Sequence, residues 1–307
     1  MHIAIYGKFP TMEEDKKNVV LLLRQLLKIY PSILVWSKFF DKIKSFLVSV
    51  KGIEVFNCKE DLKDRADILL SLGGDGTMLD TVDYVIGTDI AVLGVNLGHL
   101  GFLTSVGRDD IKFLAQELEK NNFTIEKRQL LEIETSDNDM TNSKRYGANE
   151  ACFLSSERGN ILDLEVFVNN RYLTTFSGDG VLIATPTGST AYSLSCNGPI
   201  ITPEAECICI TPVSPHNLTF RPIILSSEDM IKVHIPVSNN ACKMLMDGYS
   251  IFEETKGDVI IRSAAYSWNL LRFEKQDFFD AIRKKLMWGT TPEYITTKRI
   301  KSYIQQQ

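Results

Sequence analysis

Short apolar runs alternate with helix-spaced apolar positions through the first part of the chain. HIAIYG (2–7) has the continuous apolar character of a buried strand. Behind it, Val19, Leu22, Leu23, Leu26 and Leu27 recur at three- and four-residue spacing, which predicts a helix from about Thr11 to Ile29. SILVW (32–36), GIEVF (52–56), ADILLSLG (66–73) and IAVLGVN (90–96) read as further strands with helical stretches between several of them. Such alternation predicts a parallel α/β sheet whose ligand loops lie at the carboxyl ends of the strands. After Phe123 the pattern changes to short β-rich runs: FTIEKRQLLEIET, ILDLEVFVNN, RYLTTFS, GVLIATP, CICITP, MIKVHIP, ACKMLM, DVIIRS and WNLLRF. These predict an antiparallel all-β domain of the sandwich type, with NNR (169–171) as a hairpin turn. Helical spacing returns from Asp277 to Met287, where Phe278, Phe279, Ile282 and Leu286 share a side. The expected division is 1–124 for the α/β domain, 125–274 for the β-sandwich and 275–307 for a helical segment packing back on the first domain.

At 307 residues the chain has room for two ordinary domains, and a formal charge of −5 leaves it without the basic footprint of a nucleic-acid binder. No apolar run reaches the roughly 18 to 20 residues a membrane span needs, and MHIAIYGKFP lacks the form of a signal peptide, so a cytoplasmic location is expected. The six cysteines form no CxxC pair and read as reduced core thiols. The four histidines lack HxxxH or HExxH spacing, so no catalytic zinc is expected.

Candidate chemistry begins at SLGGDGTM (71–78), directly after an apolar strand. Gly73, Gly74 and Gly76 offer backbone angles closed to other residues and let main-chain N–H groups meet an anion without side-chain interference. Neither GxGxxG nor GxxxxGK[ST] occurs, so this phosphate loop is of another kind. A carboxylate beside phosphate is repelled unless it holds a metal or takes a proton from an attacking hydroxyl, and Asp75 fits the base role. The alternative is a tight turn in which Asp75 bonds its own backbone. Further on, Thr185, Thr187, Ser189 and Thr190 form a hydroxyl-rich turn after a second Gly-Asp-Gly, and Tyr192 and Ser195 fall three apart on a short predicted helix. Asn149 and Glu150 pair an amide with a carboxylate, either for an adenine edge and ribose hydroxyls or as a solvated turn. Asp247 and Gly248 read first as a hairpin turn.

Taken in order, GGDGT (73–77), LGHLGFL (97–103), NE (149–150), GDG (178–180), TPTGSTAYSLSCNGP (185–199), TPVSPH (211–216), RP (221–222) and DG (247–248) closely resemble the NAD kinase family over most of the chain. GGDGT is shared with diacylglycerol and sphingosine kinases and phosphofructokinases, whereas TPTGSTAY with NE points to NAD kinases. The resemblance implies an α/β domain and a β-sandwich with a substrate cleft between them, and a homo-oligomer, dimer or tetramer. It implies ATP as phosphoryl donor, with Mg²⁺ or another divalent cation on the nucleotide phosphates and no assigned protein ligand, and NAD as acceptor. By the same implication Asp75 takes the proton of the ribose hydroxyl, Gly73, Gly74, Gly76 and Thr77 serve the phosphates, and Phe102 lines the adenosine pocket. Asn149, Glu150, Asp179, Thr190, Ala191, Tyr192, Ser195 and Asp247 complete the dinucleotide site. Ser177 departs from the basic residue many members carry there, and Tyr249 stands at a variable position. The rival readings are a lipid kinase that shares the GGDGT loop and a non-catalytic NAD-binding sensor.

Overall fold

A computed structural model describes residues 1–8, 13–47, 50–97, 101–135, 145–157, 161–237, 242–253, 255–273 and 277–288. In the first half, β1 (Ile3–Gly7), β2 (Ile33–Trp36), β3 (Ile53–Phe56), β4 (Ile68–Gly73) and β5 (Ala91–Asn96) are all parallel, in the order β3-β2-β1-β4-β5. These are the five strands expected from the apolar runs, each within two residues of its expected ends. Helices α1 (Glu13–Ile29), α2 (Ser37–Ile43), α3 (Asp75–Asp80), α4 (Val82–Val85) and α5 (Ile111–Glu119) supply the covering layers. Val19, Leu22, Leu23 and Leu26 of α1 are buried on one face of the sheet with Leu114 and Leu118 of α5. Met78, Leu79 and Val82 lie with the cluster on the other face. The strand order reverses between β1 and β4, so the turn after β4 sits at a switch point, where ligands gather in such sheets.

The second half is a sandwich. One sheet contains β8 (Glu150–Ser155), β11 (Gly180–Ala184), β12 (Cys207–Val213), β13 (Ile223–Ser226), β15 (Cys242–Met246) and β16 (Tyr249–Phe252), in the order β13-β12-β11-β8-β15-β16. The facing sheet contains β6 (Thr124–Thr135), β7 (Tyr146–Gly147), β9 (Leu162–Val168), β10 (Arg171–Gly178), β14 (Ile231–Ile235) and β17 (Gly257–Arg272). Phe153, Val181, Ile183, Ile208 and Ile210 from the first sheet meet Leu164, Val166, Ile231, Val233 and Ile261 from the second in one apolar core. Asn169 and Asn170 have φ of 49° and 62°, the two left-handed positions of a type I′ turn, so NNR is the hairpin expected. A short helix, α6 (Tyr192–Ser195), follows the hydroxyl-rich turn, and α7 (Phe278–Lys285) closes the described chain.

The structure differs from the reading of independent sheets. DVIIRS and WNLLRF are one strand, β17, with a bulge between Ser263 and Ser267 opposite β6. Its far end pairs parallel with β5, Leu270 opposite Val92, so a single sheet of eleven strands among the described residues runs through both halves. Periodicity is local and does not report which neighbour a long strand changes to along its length. Trp268 and Leu270 accordingly pack with Leu69, Val92 and Met78 of the α/β half.

Candidate functional site

Asp75 is the first residue of α3, and its carboxylate is turned inward. Oδ2 accepts the Phe102 amide at 2.6 Å, and Oδ1 accepts those of Leu103 at 3.1 Å and Thr104 at 3.3 Å. Three backbone donors converging on one carboxylate fix its position. Gly101 makes the approach possible: a Cβ there would lie 1.6 Å from Asp75 Oδ1. The expectation of special backbone angles holds at Gly73, whose φ is +159° and where a Cβ would lie 2.3 Å from Thr77 Oγ1, and is met differently at the next two glycines. Gly74 has an ordinary φ of −100°, and neither Gly74 nor Gly76 is in the left-handed region. Both are exposed, and a Cβ at either meets nothing within 4 Å, so their contribution is an unobstructed main-chain surface beside Asp75.

The C-terminal helix does return to the first half. Lys285 on α7 places Nζ 3.9 Å from Asp75 Oδ2 and 4.1 Å from the centre of the half-buried Phe102 ring. Burial pulls the ammonium below the usual lysine range while Asp75 pulls it back up. Ile282 is the buried side chain of this helix, capped by Asp277 through the Phe279 amide at 3.0 Å, whereas Phe279, expected on the apolar side, is exposed.

A second cluster forms where β8 begins. Asp247, in the turn between β15 and β16, accepts the amides of Ala148 and Asn149 at 2.8 Å each and that of Glu150 at 3.1 Å. It is therefore a hairpin residue, as its Asp-Gly pattern suggests, and also the brace of the Asn149–Glu150 segment. That segment is not a solvated turn, because Glu150 is 6% exposed. Thr185 ties the hydroxyl-rich turn to it, donating Oγ1 to the Ala148 carbonyl at 2.6 Å and accepting the Gly188 amide at 3.0 Å. A Cβ on Gly188 would lie 2.1 Å from the Asn149 carbonyl oxygen, so glycine is required by close approach of two backbones. Thr190 and Ala191 are half-buried, and Tyr192 and Ser195 are exposed on α6, the shared side their spacing predicts. Asp179 is exposed at the opposite end of β11 from Ala184, and the Tyr192 phenol is raised first by burial, with Asp179 among the lesser charges acting the same way.

Burial pushes the Glu150 carboxyl up to about 8; the Asp247 charge acts the same way, and the Tyr192 amide opposes them. Its Oε2 is buried with no hydrogen-bond partner among the described residues. Held neutral, the group can donate as well as accept. The folded protein thus retains a proton that the unfolded chain releases near 4.5. The stability this group contributes is complete below that pH and is lost as pH rises through about 8. Glu150→Gln is expected to remove that slope. Thermal unfolding at about pH 5 and about pH 8 should show the wild type falling behind the variant by on the order of a few kcal/mol at the higher pH.

Side chains link the two halves beside these clusters. The Tyr249 hydroxyl, from the β15–β16 hairpin, donates to Asp80 at the end of α3, and Asp80 also receives the Tyr6 hydroxyl at 3.3 Å and faces Lys8 Nζ at 3.1 Å. The bond to Asp80, then burial, pushes the Tyr249 phenol up to about 12. Sequence reasoning missed Asp80 and Lys285, for which no spacing signal exists. Gly101 entered it only within LGHLGFL, of which residues 98–100 lie outside the described residues.

The profile of the ATP-NAD kinase N-terminal domain matches residues 38–123, and that of the ATP-NAD kinase C-terminal domain matches 148–273. An NAD kinase of Bacteroides fragilis (strain ATCC 25285) is 36% identical over 291 residues, spanning 94% of this chain and 98% of its own length. An NAD kinase of Christiangramia forsetii is 32% identical over 294 residues, with the same shares. Among solved structures, yeast NADH kinase complexed with NADH superposes with a TM-score of 0.84 at 27% identity, over 95% of this chain and 89% of that one. An NAD kinase from Archaeoglobus fulgidus in complex with ATP shares the fold, with a TM-score of 0.70 at 22% identity over 94% of this chain and 99% of that one.

Proposed function

This chain belongs to the NAD kinase family of phosphotransferases, and from that premise we propose that it transfers the γ-phosphoryl group of ATP to the 2′-hydroxyl of the adenosine ribose of NAD, giving NADP. It acts in the cytoplasm as a homo-oligomer. The ribose oxygen attacks the γ-phosphorus in line, the bond from that phosphorus to the β–γ bridging oxygen breaks, and ADP leaves. The hydroxyl proton passes to Asp75. The observation that carries this reading is the Asp75 carboxylate, held by three main-chain amides beside the exposed Gly74 and Gly76.

Phosphoryl transfer depends chiefly on positioning and charge neutralisation, and these residues are suited to both. The amides around Gly74 and Gly76 would receive phosphate oxygens, and Lys285 brings a cation to the same place. The divalent cation belongs to the substrate, carried on the ATP phosphates as magnesium commonly is. On the other side of the cleft, the Asn149 amide and the neutral Glu150 would meet the dinucleotide, with Tyr192 offering a ring to stack on a base. Thr190, Ala191, Ser195 and Asp179 would line the remainder.

Purified protein incubated with NAD, ATP and Mg²⁺, coupled to an NADP-specific dehydrogenase and its substrate, is expected to accumulate NADPH, and chelation of the cation is expected to stop it. NAD binding without turnover would favour a dinucleotide sensor. Transfer to diacylglycerol in place of NAD would favour a lipid kinase.

A further inference from the structure

Two arginines and one glutamate join the two halves of the site, and none of them belongs to a motif that signals chemistry. Glu126 and Arg128 are two apart on β6 and so share a face of the strand, while Arg272 is the last residue of β17, alongside. Glu126 Oε2 accepts Arg272 Nε at 2.8 Å, and Oε1 lies 2.7 Å from Arg128 Nη2. From this shared carboxylate the guanidinium groups reach in different directions. Arg272 Nη1 donates to the Leu103 carbonyl at 3.0 Å and to the Ser105 hydroxyl. Arg128 Nη1 donates to Thr187 Oγ1 at 3.2 Å. Leu103 is the residue whose amide holds Asp75 Oδ1, so one residue separates Arg272 from the catalytic carboxylate. Thr187 precedes Gly188, whose backbone abuts Asn149.

Burying such a set is weak evidence of a gain in stability, because desolvating three ions offsets most of their attraction. What it supplies is fixed geometry, since planar guanidinium forks tolerate little change of direction. We propose that Arg272, Glu126 and Arg128 are positioning residues that hold the Phe102–Thr104 amides, and through them Asp75, at a set distance from the Thr185–Thr190 turn. The proposal rests on the assignment of Asp75 as the base and adds to it the element that places the base.

The test is a cycle of four enzymes: wild type, Arg272→Lys, Asp75→Asn and the double variant. Arg272→Lys keeps the charge and loses the fork. Misplacement of a reacting group by about 1 Å costs on the order of 10²-fold, so a 10- to 100-fold fall in kcat is expected for Arg272→Lys alone. In the Asp75→Asn background the same change is expected to cost little, because the group it places is gone. Equal losses in both backgrounds would mean that Arg272 acts only as a structural support and would overturn the proposal. Near-normal turnover of Asp75→Asn alone would instead overturn the base assignment, taking the proposal with it. Should thermal unfolding show that Arg272→Lys fails to fold, Ser105→Ala removes one of Arg272's two acceptors on the loop and is expected to give the same non-additivity at smaller size. Glu126→Gln is expected to follow the pattern of Arg272→Lys; wild-type kcat in that variant would overturn the link to Arg128.

Discussion

Asp75→Asn is expected to lower kcat by about 10²- to 10⁴-fold, the range that general-base assistance supplies, with a smaller rise in the KM for NAD. Two effects contribute and can be told apart. The amide nitrogen of asparagine cannot take the ribose proton, which acts on kcat alone. An asparagine oxygen can still accept the amides of Leu103 and Thr104 at the Oδ1 position, but its NH₂ would face the Phe102 amide, donor against donor, where Oδ2 now accepts at 2.6 Å. An unmade hydrogen bond of this kind costs about 1–3 kcal/mol and moves the 102–104 backbone, which acts on binding. Steady-state kinetics over a range of NAD concentrations, with NAD affinity measured without ATP, separates them. A variant with normal kcat and weakened NAD binding would leave Asp75 as a loop brace and remove it from the chemistry.

Gly101→Ala is the second large effect. The added methyl would sit 1.6 Å from Asp75 Oδ1, far inside contact distance, so either the carboxylate leaves its amides or the loop swings away. Overpacking costs typically about 1–3 kcal/mol, which should appear as a lower Tm. Displacing the base by about 1 Å should cut kcat on the order of 10²-fold. Because alanine introduces no polar or charged group, the result depends on volume alone. A variant with wild-type kcat would show that the carboxylate has another productive position. Gly74→Ala is the natural comparison: a Cβ there meets nothing within 4 Å in the protein, so any loss must arise from obstruction of a bound ligand.

These expectations depend on contacts that sequence patterns reveal unevenly. The parallel strands were legible because each is a short continuous apolar run, and the turn after β4 was legible because three glycines and an aspartate follow such a run at the edge where ligands bind. The NNR hairpin was legible from turn chemistry. The bridging role of β17 was not, because its two apolar runs flank an ordinary-looking SAAYS that forms the bulge. Locally, Glu150 reads either as a ligand contact or as part of a solvated turn and Asp247 as a hairpin residue, which it is; what the local pattern omits is the coupling of Glu150 to Asp247. Their charges interact through tertiary contact across β8 and β15, which no local window contains. The Arg272–Glu126–Arg128 set was invisible for a similar reason: opposite charges on neighbouring strands look like any solvated β surface until burial is known.

The central claim is that the Asp75 carboxylate faces the hydroxyl that becomes phosphorylated. A crystal structure of the protein with NAD bound measures this directly. The account predicts an Asp75 oxygen within hydrogen-bond reach, about 2.6–3.2 Å, of the adenosine ribose 2′-oxygen. A bound dinucleotide whose 2′-hydroxyl meets other groups, with Asp75 still engaged only by the amides of Phe102, Leu103 and Thr104, would contradict it.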